Sequence, residues 1–277
     1  MGLHNLIQLC ASCHEPGKFI FCSSTASVLG STPDNPILER FSRNPDEADK
    51  LGYSRSKWVA EGICERASTL KEMKGNIAVL RIGQLTGDTE NGIWNMTEAW
   101  PLMLSSVFEL GCLPDLKERL EWLPLDIAAK AVVEISLKGK LGLEGEDPVY
   151  HLLGKRGEFT WNGLLESILT SSFAPEDSSN VPVRVWLDKL ERLEGDHPAK
   201  ALLGLWKKAY GGDGSEGGED GDGYVVRTFE TKKAERFASV LGEFEGVNEG
   251  LVRKIWLWIV KEKGMDARGK WPAAHGE

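Results

Sequence analysis

The chain has 277 residues, 41% of them hydrophobic, and a formal net charge of -9 at pH 7. This content is enough to bury a core, and the length is typical of one large or two smaller domains. The chain has no apolar run of about eighteen residues and no basic, apolar leader, and its acidic balance argues against nonspecific nucleic-acid binding. We therefore expect neither a membrane protein nor a secreted one.

The number and spacing of the cysteines and histidines bear on the cellular compartment and on metal binding. Five cysteines, an odd number, indicate free thiols in a reducing compartment, and we expect a cytoplasmic protein. The five histidines are scattered along the chain, and no Cys/His cluster has the spacing of a zinc site. No metal site is predicted.

The first part of the chain alternates strand and helix patterns. Residues 1–17 predict a helix and a turn, 18–30 contain an apolar strand that runs into hydroxyl residues, 51–70 predict a helix, and 76–88 contain a second apolar strand. Continuous apolar runs of this length are typical of buried parallel strands. The result is a βαβ unit with polar groups at the carboxyl ends of its strands, where open α/β sheets bind ligands.

The later part is mainly helical. We predict a helix at 125–136, a late strand at 149–153, and further helices at 94–111, 159–173, 183–193, 200–210, 231–241 and 248–263. Residues 211–223 consist only of Gly, Asp, Glu and Ser. Such a segment cannot bury apolar area to offset its ordering entropy, so a disordered acidic loop is predicted there.

Tyr53 and Lys57 are the most informative pair of residues. They stand four residues apart in the predicted helix at 51–70, so their side chains share one face. A nearby ammonium favours the ionised form of a phenol and makes it a better proton donor to a carbonyl oxygen. The spacing alone is common in helices, and it is the position between two buried strands that favours a catalytic role.

Several sequence segments around this pair resemble those of a known family. In chain order they are SSTASVLG, GYSRSKWVAE, RIGQLTGDTENGIWN, EAWPLM and EWLPLDIAAKAVVEIS. Together they resemble the thioester reductase domains, or R domains, of fungal polyketide synthases, nonribosomal peptide synthetases and adenylate-forming reductases. These domains are extended short-chain dehydrogenases/reductases, and the resemblance is clear through about residue 155.

The resemblance implies a fold and a domain organisation. We expect a Rossmann-like α/β fold, a doubly wound parallel sheet lacking its N-terminal strands, with a smaller, mainly helical substrate-binding portion. Residues 1–155 would form the partial NADP-binding portion, with substrate-side helices at about 92–112. Residues 156–277 would form the substrate-binding portion, which includes the acidic loop.

The resemblance also assigns roles to individual residues. By position it places Thr25, Tyr53 and Lys57 on the catalytic Ser/Thr, Tyr and Lys of the family. The cofactor contacts that it implies are Ser23, Ser24, Tyr53, Lys57, Gly83, Gln84 and Leu85.

The activity that the resemblance implies is NADPH-dependent reduction of an acyl thioester to an aldehyde, with further reduction to an alcohol as a second possible product, in secondary metabolism. The acyl group would arrive on a phosphopantetheinyl carrier protein. Two alternatives stay open from the residues themselves. One is a catalytically inactive remnant or binding subunit. The other is a different extended reductase, epimerase or dehydratase that acts on a free small molecule.

The sequence departs from the family pattern at its start. Such domains begin with a strand, a Gly-rich turn and a helix that receive the pyrophosphate, and no G-x-x-G-x-x-G turn precedes residue 18. We therefore expect a chain that starts inside the domain and binds NADPH weakly. We also expect an unpaired sheet edge that promotes self-association.

Other polar and aromatic residues near these segments allow two interpretations. Trp94, Trp100 and Trp122 are expected to pack in the core, with a wall for an acyl chain as the alternative. Asp88 and Asn95 are expected to order a turn, with substrate contact as the alternative.

Overall fold

The computed structural model describes residues 2–15, 17–32, 36–142, 144–211 and 227–264. The strands in these ranges are β1 (Phe19–Ser24), β2 (Ile77–Ile82), β3 (Leu85–Thr86), β4 (Cys112–Asp115), β5 (Leu123–Pro124), β6 (Val149–Leu152) and β7 (Ser179–Pro182). The α-helices are α1 (Gly2–Ser12), α2 (Gly52–Ser68), α3 (Ala99–Ser105), α4 (Val107–Leu110), α5 (Leu125–Ser136), α6 (Trp161–Leu169), α7 (Val183–Arg192), α8 (Leu203–Tyr210), α9 (Lys232–Phe237), α10 (Ser239–Glu243) and α11 (Glu249–Glu262).

The chain divides into two compact units that are discontinuous in sequence. The first contains Met1–Leu85, Glu121–Lys155 and Val226–Glu245, and the second contains Thr86–Leu120, Arg156–Val225 and Gly246–Glu277. The expected division after residue 155 coincides with one boundary. It differs elsewhere, because the chain leaves the first unit at Thr86 and because α9 and α10 return to it.

A parallel sheet with the strand order β1-β2-β6 forms the centre of the first unit. Its central strand, IAVLRI, is apolar at five of six positions and lies between two neighbours, as the sequence predicted. Register places Ser23 of β1, Arg81 of β2 and His151 of β6 opposite one another in a single row. This row lies close to the carboxyl ends of the strands.

Helices cover both faces of this sheet, as a doubly wound fold requires. On one face, Ile77 and Val79 of β2 pack with Ile7 of α1 and with Cys64 and Ala67 of α2. The alternation of side chains along a strand sends the neighbouring residues to the opposite face.

The opposite face is packed mainly by α5, α9 and α10. Leu80 of β2 and Tyr150 of β6 are buried there together with Ile135, Phe237 and Leu241. The burial of β2 on both faces explains why its sequence reads as a continuous apolar run.

The outer edge of β6 is covered by a buried carboxylate. Glu39 Oε1 accepts hydrogen bonds from the backbone N–H groups of His151, at 2.9 Å, and Ala234, at 3.0 Å, and Glu39 Oε2 accepts one from Lys233 at 2.7 Å. Burial raises the pKa of Glu39, and these backbone hydrogen bonds oppose that effect. The contact fastens α9 to the sheet, which accounts for the return of this segment to the first unit.

The second unit is mainly helical and is built around buried tryptophans. Trp161, Trp186 and Trp256 are almost fully buried, and each indole N–H donates a hydrogen bond to an oxygen 2.8–3.0 Å away. These hydrogen bonds satisfy the polar N–H group of an otherwise apolar side chain. The unit also contains the parallel pair β4 and β7, which the sequence did not predict.

Most predicted elements are confirmed, with local differences. The helix expected at 94–111 is two short helices, α3 and α4, and the helix expected at 231–241 is divided into α9 and α10. The predicted acidic loop lies, apart from Gly211, outside the described residues. All five cysteines are free, as predicted. Within the described ranges, no helix is long and apolar enough to cross a membrane.

Two glycine substitutions should have opposite effects on stability. A Cβ added at Gly154 would overlap the backbone carbonyl of Trp122, which cannot swing away, whereas a Cβ added at Gly62 in α2 would enter open space. Gly154→Ala should therefore lower the free energy of unfolding by about 1–3 kcal/mol, and Gly62→Ala should raise it by about 0.5–1 kcal/mol. Urea unfolding of both variants measures the difference, and a stabilising Gly154→Ala would contradict this packing.

Candidate active site

The strand β1 ends in a turn that presents Thr25. Residues Thr25–Val28 form a 3₁₀ turn, and Ser24 Oγ caps it by accepting the N–H of Ala26 at 3.2 Å. The Thr25 hydroxyl is partly accessible and has no hydrogen-bond partner among the described residues. It is therefore available to bind an external carbonyl oxygen.

Tyr53 and Lys57 lie on α2, in the geometry that their spacing predicted. Tyr53 is 56% exposed, and the Lys57 ammonium lies 5.6 Å from the centre of its ring. Lys57 Nζ also donates a hydrogen bond to the carbonyl oxygen of Cys22 at 2.9 Å and lies 5.0 Å from the centre of the Phe21 ring. The lysine thus connects the tyrosine to β1.

This arrangement brings the three predicted catalytic groups to one end of the sheet. The helix α2 packs against the Thr25–Val28 turn, and Lys57 of this helix reaches the carbonyl oxygen of Cys22, three residues before Thr25. All three belong to the first unit. A hydroxyl, a phenol and an ammonium at the carboxyl end of a parallel strand can bind a carbonyl oxygen and donate a proton to it.

The predicted cofactor loop is fastened by its backbone. Gly83 N donates to Leu152 O at 2.9 Å, and the carbonyl oxygen of Gln84 accepts the N–H of Leu123 at 2.8 Å. The Gln84 side chain is exposed at the end of β2. Contact of Gly83, Gln84 and Leu85 with a nicotinamide stays a prediction.

Ser23, predicted as a cofactor contact, points into the protein. Its side chain is buried, and its hydroxyl donates to Glu61 Oε1 at 2.5 Å. Ser27 Oγ lies 2.7 Å from the same carboxylate oxygen. The two serines flank Thr25 in sequence, and both hydroxyls converge on one buried side chain that sequence reasoning did not identify.

Glu61 forms a buried ion pair with Arg81. The two residues are 2% and 1% exposed, and Glu61 Oε2 accepts hydrogen bonds from Arg81 Nη2 at 2.7 Å and Nε at 3.0 Å. Arg81 Nε also lies 3.2 Å from Oε1, so the guanidinium contacts both carboxylate oxygens, as in the strong two-point form of Arg–carboxylate pairing. Neither charge is left without a partner inside the protein.

His151 completes the row on the far side of Arg81. Burial and the neighbouring guanidinium lower the pKa of His151 to about 3, so its imidazole is neutral at pH 7. Its Nε2 then accepts from Arg81 Nη1 at 3.2 Å, and its Nδ1–H donates to the carbonyl oxygen of Glu230 at 2.7 Å. Each ring nitrogen therefore has a defined role.

The sequence did contain signals for this row. Arg81 interrupts an otherwise apolar buried strand, and charged residues are almost never fully buried unless they are paired. Glu61 follows Lys57 by four residues and so lies on the same helix face. The pairing itself depends on strand register, which the sequence does not give.

The other residues with two interpretations make local contacts of the first kind. Asp88 accepts the N–H groups of Glu90, Asn91 and Ile93, and Asn95 accepts that of Thr97, so both order turns. Trp94 and Trp122 are buried, as the packing interpretation predicted. Trp100 packs against Trp161 with ring centres 5.4 Å apart.

A cavity adjoins the Thr25–Val28 turn within the first unit. Its volume is about 830 Å³, and its lining includes Val28 of the turn and Arg81 of the row. Polar side chains of the following segment, among them Ser31, Ser42 and Asn44, line the rest. This volume is in the range of small-molecule sites.

Comparisons with known proteins match the chain to an NAD-binding family and to a fungal peptide synthetase. A family model for an NAD-binding domain, described as "Male sterility protein", matches residues 1–132. The chain is 32% identical over 215 residues to the non-canonical non-ribosomal peptide synthetase ascB of Acremonium egyptiacum. This alignment covers 75% of the chain and 19% of that relative. The chain belongs to the family of NAD-binding reductase domains, the R domains.

Solved structures show the same fold. The terminal R domain of the myxalamid PKS-NRPS pathway aligns with a TM-score of 0.70 at 20% identity, over 97% of this chain and 64% of that one. An archaeal thiolation-reductase di-domain from a non-ribosomal peptide synthetase aligns with a TM-score of 0.63 at 15% identity, over 95% of this chain and 52% of that one. The chain thus spans under two thirds of each of these structures and about a fifth of the curated relative.

The described residues fit one end of a nicotinamide dinucleotide. A hydroxyl, a phenol and an ammonium suit the ribose and the reacting carbonyl at the nicotinamide end. The pyrophosphate end needs backbone amides of a Gly-rich turn between a strand and a helix, and the described strands β1 and β2 are followed by a 3₁₀ turn and by Gly83-Gln84-Leu85 instead. Within the described residues, the fit is therefore to the nicotinamide half.

The neutral His151 predicts a specific dependence of stability on pH. The imidazole titrates near 6.5 in the unfolded chain and at about 3 in the folded one, so the unfolded chain binds the extra proton between these values. Stability should fall as pH falls through this window, by on the order of 1 kcal/mol per pH unit from this group. Urea unfolding from pH 7 to pH 4 should show a shallower decline for His151→Gln than for the wild type. Equal slopes would contradict the assignment.

Proposed function

We propose that the chain reduces an acyl thioester, held on a phosphopantetheinyl carrier protein, to an aldehyde with NADPH as the hydride donor. The observation that carries this proposal is the grouping of Thr25, Tyr53 and Lys57 at the carboxyl end of β1 in a chain of the R-domain family. Further reduction of the aldehyde to an alcohol would use the same groups.

The residues of the chain have separate tasks in this reaction. NADPH, when bound, supplies the hydride that reduces the carbonyl carbon. Thr25 donates a hydrogen bond to the carbonyl oxygen, and Tyr53 gives its proton to the negative charge that develops there. Lys57 stabilises the tyrosinate that remains and binds the nicotinamide ribose.

Release of the product needs a second proton movement at the same atoms. The tyrosinate takes the proton back from the new hydroxyl as the C–S bond breaks, and the leaving thiolate is protonated by water. The net reaction converts thioester, NADPH and a proton into aldehyde, thiol and NADP⁺. The charges balance without a further reductant or oxidant.

A carrier-bound substrate is supported by the relatives. The similar archaeal structure is a thiolation-reductase di-domain, and ascB is a peptide synthetase. The cavity beside the Thr25–Val28 turn is large enough for part of an acyl group or of a pantetheine arm. An acyl group supplied both as a carrier thioester and as a free acid derivative distinguishes this substrate class from a free small molecule.

A non-catalytic binding role is the second candidate. It is supported by the turns that follow β1 and β2 among the described residues, since neither has the Gly-rich sequence that receives a pyrophosphate. Titration of NADPH against the purified chain separates the two functions. Saturable NADPH binding followed by thioester reduction supports the enzymatic function. A lack of saturable NADPH binding supports the non-catalytic role.

Replacement of the proton donor tests the proposed chemistry. Tyr53→Phe keeps the ring and removes the hydroxyl, so turnover of the acyl thioester should fall by roughly 10²-fold or more. Because Tyr53 is largely exposed and its hydroxyl has no described partner, the melting temperature should not change. Turnover is followed by the loss of NADPH absorbance and by aldehyde trapping.

Tyr210→Phe is the matched control for this variant. Tyr210 lies in the second unit, where its hydroxyl contacts Glu118, so the same chemical change should leave turnover unaltered. A Tyr53→Phe protein that reduces the thioester at the wild-type rate would overturn the assignment of Tyr53.

A further inference from the structure

We infer that Glu61 is a positioning residue that holds the catalytic turn of β1 in its reactive geometry; this inference rests on the proposed function. Glu61 lies on the same helix as Tyr53 and Lys57, one turn beyond the lysine. It does not reach the reacting atoms itself. Its effect on the reaction passes through Ser23 and Ser27.

The two serines enclose Thr25 from both sides. Ser23 is the residue two positions before it and Ser27 the residue two positions after it, and Glu61 Oε1 binds both hydroxyls, at 2.5 and 2.7 Å. Both serine side chains are buried, whereas Thr25 between them is partly accessible. A single carboxylate oxygen therefore fixes the backbone on either side of the hydroxyl that would bind the substrate.

The other oxygen of Glu61 is held by the central strand. Arg81 binds Oε2 through Nε and Nη2 and also reaches Oε1 through Nε at 3.2 Å, so rotation of the carboxylate would break contacts to the guanidinium. Arg81 is in register with Ser23 on β1 and with His151 on β6. Through Glu61 and Arg81, the turn is thereby linked to all three strands of the sheet.

The chemistry requires a carboxylate at this position. Oε1 accepts hydrogen bonds from the two serine hydroxyls and a longer one, 3.2 Å, from Arg81 Nε, and Oε2 accepts two from the guanidinium, all in a site withdrawn from water. A glutamine offers a single oxygen and directs an NH₂ group at one set of donors. Glu61→Gln thus preserves the size of the side chain and removes the negative charge that pairs with Arg81. With its oxygen toward Arg81, the glutamine would present its NH₂ group to the two serine hydroxyls, which would then have to accept a hydrogen bond where they donated one.

The substitution Glu61→Gln is the first test. We expect turnover of the acyl thioester to fall by roughly 10²-fold, the loss typical of a misplaced catalytic group, while KM changes little. Hydrogen–deuterium exchange of the peptide that covers residues 23–31 should become roughly tenfold faster in the full chain.

Glu65→Gln is the matched control. Glu65 lies one turn further along α2, and its ion pair is with Arg43, which is 81% exposed, so the pair contributes little. The same chemical change there should leave turnover, exchange and the melting temperature unaltered. Equal losses in the two variants would show that the effect of Glu61→Gln is not specific to the turn, and would overturn the inference.

A second variant keeps the inference testable if Glu61→Gln does not fold. The double substitution Ser23→Ala and Ser27→Ala removes the contacts of Glu61 to the turn and leaves the Glu61–Arg81 pair in place. Because Ser27→Ala also removes the 2.8 Å contact of the Ser27 hydroxyl with the Ser24 carbonyl oxygen, Ser23→Ala alone is measured beside it. The double variant should show the same loss of turnover and the same faster exchange. Wild-type exchange and turnover in this variant would overturn the inference.

Failure of the proposed function would be visible separately. If the wild-type chain reduces no acyl thioester, the proposed function fails, yet the exchange measurements still report whether Glu61 orders residues 23–31. If the wild-type chain is active and neither exchange nor turnover responds to Glu61→Gln, the inference fails and the proposed function stands.

Discussion

The buried ion pair between Glu61 and Arg81 joins α2, the helix that carries Tyr53 and Lys57, to the central strand of the sheet. Removing either Glu61 or Arg81 alone would leave the other charge buried without its partner, which typically costs about 3–5 kcal/mol. The pair is tolerated because every polar group around it is satisfied: two serine hydroxyls on one side, and a neutral imidazole that accepts from the guanidinium on the other. The position of α2 on the sheet therefore depends on this contact.

The hydroxyl side chains at the end of β1 fall into two sets, one buried against Glu61 and one accessible from outside. Ser23 and Ser27 face Glu61 and hold the turn, whereas Thr25 keeps an accessible hydroxyl. On α2, Tyr53 is exposed, Lys57 reaches the Cys22 carbonyl oxygen and Glu61 is buried, so one helix presents an accessible phenol, an ammonium and a buried carboxylate over successive turns. The apolar packing on both faces of β2 stabilises the strand that carries Arg81.

Much of the first unit could be predicted from local patterns, since β1, β2 and α2 are marked by apolar runs and by the spacing of Tyr53 and Lys57. The Glu61–Arg81 contact could not, because it requires the register of strands that are far apart in sequence. The strands β4 and β7 were missed because each contains a proline and is short, which weakens any strand pattern. The return of α9 to the sheet depends on Glu39, whose partners lie more than a hundred residues away.

The most direct test of the proposed chemistry follows the hydride itself. The purified chain would be given an acyl thioester on a carrier protein together with NADPH that carries deuterium at C4 of the nicotinamide, and the released product would be examined by mass spectrometry. The account predicts an aldehyde with a single deuterium on the former carbonyl carbon of the thioester. An aldehyde without deuterium, or NADPH that binds while the thioester stays intact, would contradict it.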